Sequence, residues 1–208
     1  MPMNTYPLPL FPLSLVICPG GLLPLRIFEV RYLDMVRNSL RNKSSFAVVT
    51  VLPEGETDPQ GNFPFANIGT LVDIVDADVT TVGLMMIRCV GQRRVKVESF
   101  TQQKDGLLIG EVNDIPNDIE LPIPEDLQMT SIGLQRLLES LPEQNIPTEN
   151  LPVIEPYKLE DASWVANRWV ELLDLPLLQK QRLMQLDSPI LRLELIHDIL
   201  DAGSRKLA

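Results

Sequence analysis

Histidine is nearly absent: His197 stands alone among 208 residues. There are two cysteines, Cys18 and Cys89, far apart and without a C-x-x-C pair. A zinc site built on imidazole and thiolate, or a redox dithiol, is therefore not encoded. The expectation is no metal and no cofactor, with both cysteines as small buried hydrophobes of a reducing compartment. No glycine is followed by lysine, so the phosphate-cradling Gly-x-x-x-x-Gly-Lys loop is missing. Neither a Gly-x-Ser-x-Gly elbow nor a Gly-x-Gly-x-x-Gly turn occurs. Basic charge is scarce too: 18 Lys and Arg face 28 Asp and Glu, a net charge of −10. That balance disfavours a polyanion partner, since nucleic-acid binders carry a basic stripe. The one basic cluster, Arg26, Arg31, Arg37, Arg41 and Lys43, is interleaved with Glu29 and Asp34 and reads as a solvated helix face.

An uninterrupted hydrophobic span is also lacking. The most apolar stretch, LPLFPLSLVICPGGLLPLRIF over residues 8–28, contains Pro9, Pro12, Pro19, Pro24 and Gly20-Gly21. A spanning helix has to satisfy its backbone internally, and these prolines break it repeatedly. The preceding MPMNTY has no Lys or Arg, unlike a secretory leader. The expectation is a cytoplasmic protein with no membrane partner. The stretch reads as two extended pieces, Leu8–Cys18 and Leu22–Phe28, around a Pro-Gly-Gly turn.

Short β-branched runs continue the pattern: Phe46–Leu52, Gly69–Val79, Val82–Val90, Arg93–Phe100 and Leu107–Ile115. In the fourth, Val95, Val97 and Ser99 alternate with Arg94, Lys96 and Glu98, predicting one buried and one wet face. Residues 54–67 mix glycine, proline and acids in a loop long enough to be functional. One early helix is predicted over Glu29–Arg41, with Val30, Leu33, Val36 and Leu40 as its apolar stripe. A proline- and acid-rich crossing segment follows at Pro116–Asp126. Beyond it the period is helical: Leu127–Leu141, Glu160–Leu173, Pro176 to Leu186, and a last helix from Ser188-Pro189 to Leu200. A proline-rich irregular stretch over residues 141–157 separates the first two of these. Two parts are expected, a β-rich 1–118 and an α-helical 119–208.

Candidate chemistry is thin. His197 sits among leucines and isoleucines as an ordinary helix residue. Asp73, Asp76 and Asp78 crowd one strand and could do acid–base work, but such acids near a turn are ordinarily solvated. Trp164 and Trp169 read as helical core.

Several stretches together resemble the Lon protease amino-terminal domain family. They are Leu8–Leu13 (LPLFPL), Pro19-Gly20, Leu23–Leu25 (LPL), Ile27–Glu29 (IFE) and Arg31-Tyr32, then Ile68–Val72 (IGTLV) and Gly91–Val97 (GQRRVKV). Residues 177–200 are similar to the family's helical ending, and Val95 stands where an aromatic is usual. The resemblance implies an α+β fold: a partly open β-barrel of the pseudouridine-synthase-associated (PUA-like) kind, followed by an α-helical bundle. It implies a free-standing, non-catalytic module that binds unfolded or peptide-like protein segments, possible adaptor work in proteolysis beside a separate protease or ATPase, and no catalytic residue. RNA binding, as in other barrels of that kind, is the alternative. Candidate binding residues are Phe28 and Tyr32, where strand meets helix, and Phe63 and Phe65 in the long loop. Glu29 and Arg31 are expected to hold the helix start by hydrogen bonds.

Overall fold

A computed structural model describes residues 5–53, 57, 63–141 and 153–207. Much of the predicted loop over residues 54–67 and of the irregular stretch over 141–157 lies outside them. The described residues divide into two compact units, one up to Asn117 and one from Asp118. Among them no helix is long and apolar enough to cross a membrane.

The first unit is a mixed α+β structure. Its strands are β1 (Tyr6–Leu13), β2 (Leu22–Ile27), β3 (Phe46–Thr50), β4 (Ile68–Thr81), β5 (Leu84–Gln102) and β6 (Leu108–Asp114), with helix α1 (Val30–Asn42) between β2 and β3. They form one six-stranded sheet in the order β2-β5-β4-β3-β1-β6. A further β5–β6 pairing bends the sheet back on itself without making a regular barrel. Every residue of β3 is buried, because both faces of the sheet are covered. Phe46 and Val48 join an apolar cluster with Phe11, Ile27, Tyr32 and Val36. Ala47 and Val49 face the other way, into a cluster with Leu10, Phe65, Val95 and Val112.

Three prolines in β1 would normally argue against an internal strand. Here β1 pairs with β6 through Tyr6–Leu10 and with β3 through Leu10–Leu13. Each half therefore has one unpaired edge, and Pro7, Pro9 and Pro12 can turn the side that lacks an N–H toward it.

Strand β5 fuses two predicted strands. Gly91, which lies between them, does not break the strand but serves close approach. Gly20 donates its N–H to the Gly91 carbonyl at 2.8 Å, and Gly91 donates to Gly21 at 2.9 Å. A Cβ on Gly91 would stand 2.3 Å from the Cys18 carbonyl oxygen. Leu71 pairs with Arg93 and Val72 with Gly91, which leaves Gln92 as a bulged extra residue. Beyond the bulge Val95 and Val97 are buried, as the alternation reads them, but Arg94 on the opposite face is only 4% exposed, and Ser99, read as buried, is exposed. A second irregularity falls between Val97 and Ser99.

Helix α1 also turns differently from its predicted stripe. It buries Tyr32, Leu33, Met35, Val36 and Ser39, while Val30 and Leu40 are exposed. Lys43, in the left-handed conformation at φ 51°, ends it.

The second unit holds a 3-10 turn (Glu125–Leu127) and helices α2 (Gln128–Ser140), α3 (Ala162–Leu172), α4 (Leu177–Gln185) and α5 (Pro189–Leu207). The Asp161 side chain caps α3 by accepting from the N–H groups of Ser163 and Trp164 at 3.2 and 3.3 Å. All residues from Ala162 to Val170 are buried, so α3 is the central helix of this unit. Both tryptophans pack in this core, and Trp169 donates to the Thr130 carbonyl at 2.9 Å. The α5 stripe is more polar than its sequence implies. Leu193 and Ile196 are buried as expected, and so is Arg192. Its guanidinium donates to Asp118 at 2.7 Å, to Asn167 at 2.8 Å, and to the carbonyls of Leu183 and Leu186. Ser163 donates to the same Asp118 oxygen at 2.7 Å. A buried cation is tolerable only when fully partnered, and this one closes the free carbonyls of α4.

Truncating that cation strands Asp118 in the interior. Arg192→Ala is expected to lower unfolding free energy by about 3 kcal/mol in a urea titration. Gly91→Ala, which drives a methyl into a backbone carbonyl, is expected to lose about 2 kcal/mol in the same assay.

Burial, with help from the Asp73 charge, pushes the Cys89 thiol from 9.0 up to about 12. The unfolded chain then ionises first as pH rises. Stability owed to this group is complete below pH 9.0 and falls between 9.0 and about 12. Unfolding midpoints measured across that window should decline less steeply in Cys89→Ala.

Candidate functional site

Four elements of the first unit converge on one groove of about 410 Å³. Phe11, Pro12 and Leu13 come from β1, and Leu25, Arg26 and Ile27 from β2. Phe28, Glu29, Arg31 and Tyr32 come from the start of α1, and Gln102, Gly106 and Leu108 from the turn joining β5 to β6.

Local geometry explains the position of each side chain. β2 ends at Ile27 and α1 begins at Val30, so Phe28 sits at a junction where neither ladder nor helix covers it. It is 68% exposed, and Val30 beside it is exposed as well. Tyr32 is one turn further on, 8% exposed, and its ring stacks on Phe11 at 4.1 Å between centroids. Burial raises the Tyr32 phenol above its usual range, and the Arg31 charge opposes that rise. The Arg31 guanidinium lies 4.8 Å above the Tyr32 ring centroid. It donates to one Glu29 carboxylate oxygen at 3.0 and 2.6 Å, and to the Gly106 carbonyl at 3.1 Å. Glu29 and Arg31 thus hold the helix start as read from sequence, and they also tie it to the β5–β6 turn. That turn needs glycine: Gly106 has φ 88°, and a Cβ there would stand 2.9 Å from the Arg31 guanidinium. The α1 start takes no cap from the Glu29 side chain, which is turned toward Arg31 instead.

The groove brings Phe28 and Tyr32 together. Phe63 and Phe65 lie elsewhere, buried with Phe100 at ring separations of 5.2 to 5.5 Å. They fasten one end of the long loop to the sheet rather than offering a surface. Sequence reasoning missed Phe11, Arg26 and Gly106 as parts of the groove. The Asp105-Gly106 turn was the one local signal available, since only tertiary folding brings it to the helix start.

Chemically the groove offers aliphatic and aromatic surface, one paired Glu29–Arg31 couple, and the exposed cation Arg26. Acids elsewhere do not gather into a site: Asp76 pairs with Arg88 at 3.2 Å on an exposed strand face. Among the described residues no group of three or more His, Cys, Asp or Glu could hold a metal ion.

A mixed six-stranded sheet with one helix between its strands, and a helical second unit, make up the fold, and the groove is its candidate site. The sequence model of the "ATP-dependent protease La (LON) substrate-binding domain" matches residues 7–202, and the chain belongs to that family. It is 34% identical to a solved Lon N-terminal domain protein from Xanthomonas campestris, with a TM-score of 0.74, covering 93% of this chain and 98% of that one. The N-terminal domain of Mycobacterium avium complex Lon protease shares the fold at 17% identity, with a TM-score of 0.60 and coverage of 93% and 97%. Cereblon from Danio rerio is 31% identical over 121 residues, 56% of this chain. The match spans 27% of that protein's own length.

The two pairs of phenylalanine and tyrosine candidates separate by a stability test. Phe65→Ala, which empties a core position, should cost about 3 kcal/mol in thermal unfolding. Phe28→Ser should change stability by less than about 0.5 kcal/mol.

Proposed function

We propose that this protein is a non-catalytic, cytoplasmic recognition module for unfolded or peptide-like segments of other proteins, serving proteolysis. A separate protease or ATPase would act on what it binds. The observation that carries this reading is the groove itself. Most of its lining comes from the same Leu8–Tyr32 region that bears the family signature, and it leaves Phe28 exposed beside a largely apolar lining. Exposed apolar surface on a folded domain marks a site of interaction. Phe28 and Tyr32 are the proposed contact residues, Phe28 by direct apolar contact and Tyr32 by forming the wall with Phe11.

The curled sheet is read as a partly open PUA-like barrel, spanning residues up to 118, and the four helices from 119 as a bundle. RNA is the second partner class for barrels of that kind. The net charge of −10 counts against it.

Fluorescence anisotropy with labelled, permanently unfolded client fragments tests the reading. Wild type should bind, and Phe28→Ser should weaken binding about tenfold while leaving the unfolding midpoint in place. Tyr32→Ala should weaken it too. Indifference of binding to both changes would count against the groove, and salt-sensitive retention of RNA on filters would favour the second reading.

A further inference from the structure

The groove runs along strand edges rather than strand faces. Successive side chains of a strand point to opposite faces, so a cavity touching Leu25, Arg26 and Ile27 in succession must follow the edge of β2. It touches Phe11, Pro12 and Leu13 of β1 in the same way. Both stretches have an unpaired side. β2 closes the strand order and pairs only with β5. β6 pairs with β1 only up to Leu10, which leaves Phe11–Leu13 with β3 on one side alone. Open backbone donors and acceptors beside an apolar lining are what an extended chain needs.

The side chains of β2 then set the pattern of the occupant. Leu23, Leu25 and Ile27 are buried on one face, and Pro24 and Arg26 are exposed on the other. Arg26 makes no hydrogen bond or ion pair within the described residues, in a chain whose net charge is −10. In a strand laid along β2, the residue opposite Arg26 shares its face, and the residues before and after it fall on the side of Leu25 and Ile27.

Resting on the peptide-binding reading above, the geometry points to strand addition at Leu25–Ile27 by a client segment of the form apolar–acidic–apolar, its Asp or Glu side chain paired with Arg26. Arg26 is the specificity-determining residue, and Phe28 takes the apolar side chain beyond Ile27. An internal segment is the occupant, because a strand lying along an open edge requires no chain terminus.

The test uses the full chain and acetylated, amidated peptides with Leu-Glu-Leu, Leu-Gln-Leu or Leu-Lys-Leu at the centre, read by anisotropy. Binding should fall about fivefold from Glu to Gln and about tenfold or more from Glu to Lys. Arg26→Glu, on an exposed strand position, should invert the order, its fold checked by circular dichroism. N-methylation of the three central amides should abolish binding if the segment joins β2 as a strand. Equal affinity for all three peptides, or an order unmoved by Arg26→Glu, overturns the proposal while leaving groove binding in place. Tightening that requires a free C-terminal carboxylate on the Gln peptide overturns the choice of an internal acid. Absence of binding by every peptide, with unfolded fragments still bound at Phe28, also overturns it; loss of both overturns the broader reading as well.

Discussion

Everything in the first unit depends on how closely the Cys18–Gly21 segment approaches β5. Backbone meets backbone at Gly91, with reciprocal hydrogen bonds to Gly20 and Gly21, and no Cβ fits between. That contact places Leu22 opposite Val90, and antiparallel pairing then carries Ile27 opposite Met85. The strand is spent at that point, so Phe28 emerges into solvent and α1 begins. Helix placement in turn brings Arg31 to the Gly106 carbonyl, which closes the groove between helix start and hairpin turn. A side chain at position 91 would push the segment away and move every later element with it.

The fold class was legible because two periods change over cleanly. Proline-punctuated, β-branched runs dominate before Pro116, and three- and four-residue leucine spacing dominates after it. Details failed where the reading treated a residue type as a local signal. The gap between the predicted strands Val82–Val90 and Arg93–Phe100 falls at Gly91, yet glycine serves equally where two backbones touch inside a strand. Alternation assigns Arg94 to water because it reports only direction, and at Arg94 the face opposite Val95 and Val97 is covered as well. Val30 and Leu40 fit the helical period but lie off the buried face, which is centred on Tyr32, Leu33, Met35, Val36 and Ser39. Two of the four candidate residues line the groove for a different reason. Phe28 and Tyr32 stand where a strand and a helix meet, and such junctions expose side chains. Arg26 and Gly106 belong to the groove through contacts distant in sequence, which no pattern in one segment reports.

Buried cations were the least legible feature of the second unit. Arg192 lies beside Leu193 on α5, and composition gives no hint that it faces inward. Four hydrogen bonds tie it to Asp118, Asn167 and the end of α4, so it works as a cap for another helix. Arg168 on α3 is also buried and pairs with Glu171 one turn later at 3.0 Å. An apolar residue in either place would pack as well and specify less. The arginines require particular partners at particular angles, and that restricts which arrangement of these leucine-rich helices is satisfactory.

Open strand edges carry a hazard, since any other chain can pair with them. The two edges at the groove are short and chemically guarded. Pro24 in β2 and Pro12 in β1 each remove a donor from the row, and Arg26 projects a charge beside the remaining one. Two copies of β2 meeting edge to edge would also bring their Arg26 side chains close together, with like charges opposed. A mixed sheet that leaves an edge open thus protects it against self-pairing with the same residues that would select the proposed ligand. The positive charge that repels a second β2 would attract an acidic strand, so the guard against aggregation and the proposed preference for a partner are one arrangement.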